Sequence, residues 1–320
     1  MNLLISSSRN PYINLATEEF LLKQSNEDHI FLYINQPCVV VGKHQIAQKE
    51  INSKYANDNN ILIARRISGG GAVYHDPGNL NISFIKSISS PEDVSYKKIA
   101  QPIFDFLESI GITFLSSEKN DLLFEGRKIS GSAMHIFKDR ILAHCTLLVN
   151  SDLTHLSKSL RGNPERYTDK SIGSRRAKVM NLSAIDKKIE IDLLESSFGK
   201  FLFQKSICTT SLAIPDSFNE VIHELAANKY STNDWIYGYS PRYIYTSVLT
   251  DQINSEIFII EVEKGIIVNA NINSVDEVNL DMILIVKELI GLKHNFIELN
   301  QFLNSKSDSL LSQKLLDALF

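Results

Sequence analysis

The run Arg65-Arg66-Ile67-Ser68-Gly69-Gly70-Gly71-Ala72-Val73-Tyr74-His75-Asp76-Pro77-Gly78-Asn79-Leu80-Asn81 constrains this chain more than any other segment. Consecutive glycines put no Cβ between main-chain N–H groups and a ligand, and they reach φ values closed to other residues, so the run suits a backbone wrapped round an anion. Two guanidinium forks, Arg65 and Arg66, stand beside it. It is not a P-loop, because no G-x-x-x-x-G-K-[ST] occurs. Nor is it a dinucleotide fingerprint, since Tyr74 stands where G-x-G-x-x-G needs its third glycine. A surface turn that binds nothing remains the plain alternative. Such a turn has no need of Arg65, Arg66, His75, Asp76 and Asn79 around it, and the apolar run Ile61 to Ala64 reads as a buried strand delivering the loop.

A second segment runs from Asn120-Asp121-Leu122 through Glu125-Gly126-Arg127-Lys128-Ile129-Ser130-Gly131-Ser132-Ala133 to Ala143-His144-Cys145-Thr146-Leu147-Leu148. Glu125-Gly126-Arg127 reads as a tight turn between two strands, and the small residues from Ser130 to Ala133 allow close approach of a backbone or a ligand. Lys128 then opens the return strand. A lysine alone is more often a solvated surface group; its place between the two motifs singles it out.

Together these segments resemble the lipoate-protein ligases, a family that activates an acid with ATP. The resemblance rests on Arg65-Arg66-x-Ser68 to Asp76, on Asn120-Asp121-Leu122, and on Arg127 to Ala133 followed by His144-x-Thr146-Leu147-Leu148. Fainter matches at Asn14 to Glu19, Gly42 to Gln45, Lys178 to Leu182 and Trp235 to Gly238 extend it over roughly three quarters of the chain. It implies an α/β (α+β) fold: a large catalytic domain with a mixed β-sheet flanked by helices, of the biotin/lipoate ligase type, and a small C-terminal α+β domain. It also implies a reaction in which (R)-lipoate and ATP, arriving with Mg²⁺, form lipoyl-AMP. The acyl group then passes to a lysine of a lipoyl-domain carrier, such as an E2 subunit or the glycine cleavage H protein.

By that resemblance Lys128 is the catalytic cation, bridging carboxylate and α-phosphate and then polarising the acyl carbonyl. Arg66 and the backbone of Gly71, Ala72, Val73 and Tyr74 hold the nucleotide, while Gly70, His75 and His144 line the acyl pocket with Lys128 at its polar end. Asp121 helps hold Mg²⁺ through phosphate; a turn-forming role for it, and hydrogen-bonded structural roles for the histidines, are as common. A monomer is the implied default. Glycine is expected where Cys145 stands, which keeps a second reading open: an ATP-independent octanoyl or lipoyl transferase working through a cysteine thioester. On a strand, however, His144 and Cys145 point to opposite faces, so Cys145 is expected to be a small buried filler. A third reading is a non-catalytic carrier-protein binder.

Composition agrees with an enzyme of this kind. The net charge of −4 comes from intermixed acidic and basic residues, which gives no electrostatic case for nucleic acid or an anionic membrane. The start lacks a targeting pattern and no apolar run approaches a membrane span, so a cytoplasmic protein is expected. The widely spaced Cys38, Cys145 and Cys208 argue against a disulfide framework or a zinc site.

Coarse patterning places a first helix after Asn10-Pro11 with Glu18 and Glu19 on its polar side. Strands follow at 30–34, 39–41, 61–66 and 81–84, then a helical pattern over about 94–110 that Pro102 kinks or splits. A polar stretch, 161–177, reads as a mobile loop near the substrate. A catalytic domain is expected over 1–240 and an accessory domain over 245–320. The latter carries a hairpin at 257–271 and helices near 276–290 and 310–319, with 239–250 as a hinge between steps of the reaction.

Overall fold

Strands that read as unbroken apolar runs form the centre of the molecule, because both faces of their sheet are covered. A computed structural model describes residues 1–117, 120–174, 177–214, 216–250, 255–274 and 280–320. In chain order its strands are β1 (Asn2–Ile5), β2 (His29–Ile34), β3 (Cys38–Val41), β4 (Leu62–Arg65), β5 (Val73–His75), β6 (Asn79–Ser87), β7 (Leu115–Ser116), β8 (Leu122–Phe124), β9 (Arg127–Phe137), β10 (Arg140–Leu148), β11 (Tyr167–Thr168), β12 (Thr210–Leu212), β13 (Tyr243–Thr250), β14 (Ser255–Glu263) and β15 (Ile266–Ser274). Among the described residues, one mixed sheet of eight strands runs β12-β1-β2-β6-β10-β9-β8-β7.

Alternate side chains of β2 serve different cores. Ile30, Leu32 and Ile34 pack with Phe106 and Phe198 on one face, while Phe31 and Tyr33 pack with Leu15 and Phe20 on the other. This is the pattern of a sheet buried on both sides. The helix Pro11–Gln24, capped by Asn10 as expected, therefore does not keep a polar side in water. It lies between the sheet and the helix Asp216–Leu225, and both Glu18 and Glu19 are buried. Sequence patterning alone misses this, since two adjacent carboxylates read as a solvated face. Glu19 meets Lys23 and Lys229, each at 2.6 Å, together with the Tyr230 hydroxyl.

The helical pattern over 94–110 is split as Pro102 requires, into Tyr96–Ile99 and Gln101–Ser109, with the proline in the first turn of the second helix. A three-stranded sheet, β4-β3-β5, carries the glycine run between β4 and β5. The turn expected before Lys128 is tight: Glu125 and Gly126 both take positive φ, as the favoured two-residue hairpin connection demands.

The C-terminal sheet, β11-β13-β14-β15, has its own core with the helices Leu280–Glu288, Phe296–Lys306 and Ser309–Leu319. The middle helix, capped by Asn295, is absent from the sequence-based expectations. The expected hairpin is present, turning at Lys264 and Gly265. The start of the expected helix, at 276–279, lies outside the described residues. The sheet's edge strand, Tyr167–Thr168, belongs to the polar stretch, and Ile46 packs into this second core. Residues before 240 thus lend structure to the C-terminal unit. Tyr243–Thr250, part of the expected hinge, is a strand bonded to β14 along its length.

Candidate active site

A cavity of about 420 Å³, within the usual range for small-molecule clefts, lies between the glycine run, β9, β10 and the segment Ile172–Ser174. Gly70, Gly71, Ala72, Val73, Arg66, His75, His144, Asp121 and Lys128 all line it. Tyr74 does not; its side chain points into a separate core with Val39 and Val41, and its backbone pairs with Val39 in the small sheet.

Lys128 is held where it is by backbone on two sides. It pairs with β8, and it also donates to the Lys178 carbonyl (2.7 Å) and accepts from the Met180 amide (3.0 Å). This explains the fainter match at 178–182. From that fixed base the side chain passes over Gly131, where an added Cβ would come within 3.2 Å of the ammonium. The ammonium meets Asp121 at 3.0 Å, and both side chains stay about one quarter exposed. A mobile lysine and a carboxylate thus share the cavity mouth, with the space above them open to a ligand.

The two arginines do not stand ready for an anion in the way their adjacency suggests. Arg65 is fully buried and donates to the carbonyls of Gly42, Lys43, Gln45, Trp235 and Ile236. Arg66 donates to the carbonyls of Val40 (3.0 Å), Gly69 and Gly71 (both 2.7 Å), so it shapes the glycine run from within. Burial pulls both guanidinium groups down to about 10, which leaves them charged at neutral pH. Gly42 makes the fold-down possible, because a Cβ there would sit 2.1 Å from the Gly70 carbonyl oxygen. Gln45 ties the far wall in place: its Oε1 accepts from the Gly42 amide and its Nε2 donates to Ser174 Oγ (3.0 Å). Ser174 Oγ also accepts from the Ala72 amide at 2.8 Å. The polar stretch therefore closes one side of the cavity, as expected from its position in the chain.

Behind the cavity lies a buried relay that sequence reading does not find. Arg66 Nε donates to Ser68 Oγ (3.0 Å), Ser68 Oγ is 2.7 Å from His144 Nε2, and His144 Nδ1 is 3.0 Å from a Glu18 carboxylate oxygen. Burial pushes the Glu18 carboxyl up, but the His144 ring beside it and hydrogen bonds from His144, Ser83 and Tyr33 outweigh burial and hold it below the usual carboxylate range. The spacing imitates a Ser-His-Glu triad. Ser68 is nevertheless fully buried and its oxygen is occupied by Arg66, so the relay positions groups rather than attacking a substrate.

Cys145 is buried, as expected of a filler, although it also contributes to the cavity lining. It is buried on the face of β10 that packs with Tyr96, whereas His144 turns to Glu18 and Ser68 on the other. Burial pushes its thiol up to about 12, far from a thiolate at neutral pH. Cys145→Ala is expected to keep turnover within a few-fold of the parent, measured as acyl transfer to a carrier; complete loss would restore the thioester transferase.

Burial also sets the acid response. It pulls His75 down to about 3, helped by Arg66 and His144, and pulls His294 of the C-terminal core down to about 4. Both rings titrate near 6.5 when unfolded, so the unfolded chain binds more protons below that pH. Stability is then complete above about pH 6.5 and is lost on acidification, by about 2 kcal/mol per ring at pH 5. Urea midpoints at pH 7 and 5 check this, and a flat profile would show that the rings are not neutral in the fold.

A mixed sheet with a glycine loop folded over a cavity that ends in lysine and aspartate is the arrangement expected of acid-activating ligases of the lipoate type. The sequence matches the lipoyl protein ligase A/B catalytic domain over residues 10–202, and the chain belongs to that family. It is 35% identical over 260 residues to lipoate-protein ligase LplJ of Bacillus subtilis, covering 80% of this chain and 78% of that protein. It is 38% identical over 236 residues to lipoate–protein ligase 1 of Staphylococcus aureus, covering 73% and 72%. Plasmodium falciparum LipL1 in complex with lipoate superposes with a TM-score of 0.63 at 25% identity, over 99% of this chain and 98% of the other. A bipartite lipoate protein ligase of Thermoplasma acidophilum, described together with its E2 lipoyl domain as an archaeal lipoylation system, gives 0.64 at 25% identity over 74% and 96%. A lipoate-protein ligase A bound with ATP gives 0.62 at 25% identity over 74% and 98%.

Proposed function

We infer that this chain is an ATP-dependent lipoate–protein ligase. A lipoate carboxylate oxygen attacks the α-phosphorus of ATP, the bond to the β-phosphate oxygen breaks, and pyrophosphate leaves. A carrier lysine then attacks the acyl carbonyl, loses a proton, and AMP leaves as the amide forms. The observation that carries this reading is the Lys128 ammonium held over Gly131 at the cavity mouth. Relatives solved with lipoate and with ATP, and one described together with its E2 lipoyl domain, support each reactant in turn.

In this reading Lys128 holds two mutually repelling anions together, then draws charge from the acyl carbonyl. Backbone N–H groups of Gly71, Ala72 and Val73 receive the nucleotide, and a phosphate at Ala72 takes the place of the Ser174 hydroxyl now bonded there. Arg66 serves by keeping the loop's carbonyls turned inward. Among the described residues no group of three or more acidic, histidine or cysteine side chains gathers to hold a metal. Asp121 is a single carboxylate, which suits Mg²⁺ only when the nucleotide's phosphates supply further oxygens, and the ion would neutralise the leaving pyrophosphate. Lipoate's chain lies along Leu15, Val40, Val73 and Ala133, each buried CH₂ contributing about 0.8 kcal/mol.

The acceptors are lipoyl domains and, by the same chemistry, the H protein; the enzyme works as a cytoplasmic monomer. Its units are 1–240 and 245–320, and any motion between them must also release or carry Tyr167–Thr168, which pairs with β13, and Ile46, which packs in the second core. No helix among the described residues is long and apolar enough to cross a membrane. The deciding experiment combines ATP, Mg²⁺, lipoate and an unmodified lipoyl domain and weighs the domain afterwards. A mass gain that depends on ATP supports the ligase; gain without ATP when an octanoylated or lipoylated carrier protein replaces free lipoate as the acyl donor indicates the transferase. Absence of pyrophosphate release from ATP and lipoate indicates the binder.

A further inference from the structure

The cavity's two histidines differ in one respect that bears on which acid is accepted. Both ring nitrogens of His144 are engaged, by Glu18 and Ser68. His75 has one nitrogen engaged and one without any partner. Which nitrogen of His75 carries the proton follows from a chain of amides behind it. Ser6 Oγ donates to Asn14 Oδ1 (2.6 Å), so Asn14 turns its Nδ2 toward the Ser8 carbonyl (3.0 Å) and Asn35 Oδ1 (2.7 Å). Asn35 Oδ1 is thereby an acceptor, and the Asn35 Nδ2 group is what faces His75 Nδ1 at 3.0 Å. An amide N–H can only donate, so Nδ1 is bare and the proton resides on Nε2. The ring is 3% exposed and neutral, and its remaining N–H has no partner among the described residues.

We propose that the His75 Nε2–H is a donor reserved for a sulfur of the dithiolane ring, and that Asn35 sets it, which makes this pair the determinant of preference for lipoate over octanoate. The proposal rests on the ligase reading. The two acids share a carboxylate for Lys128 and an eight-carbon chain; they differ in the pair of sulfurs. Sulfur is a weak acceptor, but a weak bond decides a comparison in which the alternative is a buried donor left unpaired. Sites that hydrogen-bond one substrate reject the analogue lacking the partner much more strongly than apolar pockets reject a missing methylene.

The test measures kcat/KM for lipoate and for octanoate with the full chain, alongside nitrogen NMR of histidine-labelled protein. The parent is expected to favour lipoate by about tenfold or more, the discrimination a single unpaired buried donor supplies. His75→Phe removes the donor and should lower that ratio about tenfold. Asn35→Asp places an acceptor opposite Nδ1, draws the proton there, leaves Nε2 bare and should lower the ratio as well. The NMR spectrum should show the Nε2–H tautomer in the parent and Nδ1–H in Asn35→Asp. Equal use of both acids by the parent, an Nδ1–H tautomer in the parent, or an unchanged ratio in both variants would overturn the proposal while leaving the ligase intact. Failure of the parent to use either acid would count against the ligase reading instead. The parent's spectrum decides the tautomer even where a variant does not fold.

Discussion

Lys128→Ala is expected to lower lipoyl transfer to a carrier domain by about three orders of magnitude or more, while the protein stays folded. The size follows from electrostatics. A cation about 4 Å from a unit charge is worth roughly 4 kcal/mol at an effective dielectric near 20, and one preorganised charge-stabilising group commonly accounts for about 10² to 10³ in rate. The proposed ammonium serves both half-reactions, so pyrophosphate exchange and transfer from preformed lipoyl-AMP should each fall. Among the described residues no neighbour is free to compensate: Arg66, the other lysine or arginine in the cavity wall there, is buried and committed to the Val40, Gly69 and Gly71 carbonyls. Lys128→Arg should not rescue activity, since the chain runs so close over Gly131 that even a Cβ there would come within 3.2 Å of the ammonium, and a planar guanidinium is bulkier. The fold should tolerate the loss because the side chain is partly exposed and its one ion pair, to Asp121, lies at the cavity mouth. Near-normal turnover would remove Lys128 from the mechanism; loss of one half-reaction alone would remove its second role.

What the sequence discloses about this site is what short-range chemistry determines. Gly70 takes a positive φ, Glu125-Gly126 and Lys264-Gly265 turn where glycine allows it, and Pro102 ends one helix and starts the next. Each of these is set within a few residues, so the loop and the hairpins are legible, whereas the placement of Lys128 beside the glycine run is expected only from the family resemblance. Long-range pairing is not. Nothing near Tyr167 announces that it will pair with Tyr245, and nothing near Asn35 announces that it faces His75. Glu18 misleads because helical periodicity assigns a carboxylate to water, whereas the partners that keep it buried, Tyr33, Ser83 and His144, lie on three different strands. Where a buried polar group is satisfied from remote strands, local pattern carries no trace of it.

The second large effect concerns the arginine that looks interchangeable with its neighbour. Arg65→Met is expected to cost about 3 to 5 kcal/mol of folding stability, a fall of roughly 10 °C in melting temperature. Adjacent residues on a strand face opposite ways, so Arg65 and Arg66 cannot both address the same ligand. Arg66 turns into the glycine run. Arg65 turns the other way, where Nη1 donates to Gly42 and Lys43 (each 2.9 Å) and Gln45 (2.8 Å), and Nε donates to Trp235 and Ile236. Nη2 also reaches Ser240 Oγ at 3.0 Å, and the Trp235 indole returns a bond to the Arg65 carbonyl at 2.8 Å. One guanidinium thus joins the turn under the glycine run to the segment that leads into the C-terminal unit. A methionine of similar reach fills the space and leaves these carbonyls without donors, each unpaired group costing about 1 to 3 kcal/mol before the backbone relaxes. Arg65→Lys should recover only part, because an ammonium cannot present five donors in a fixed plane. Thermal unfolding by circular dichroism measures the loss, and nucleotide affinity measured well below the melting range separates it from the site. A melting temperature unchanged in Arg65→Met would mean the carbonyls find water, and that the remaining contacts between the two halves of the chain suffice to hold them together.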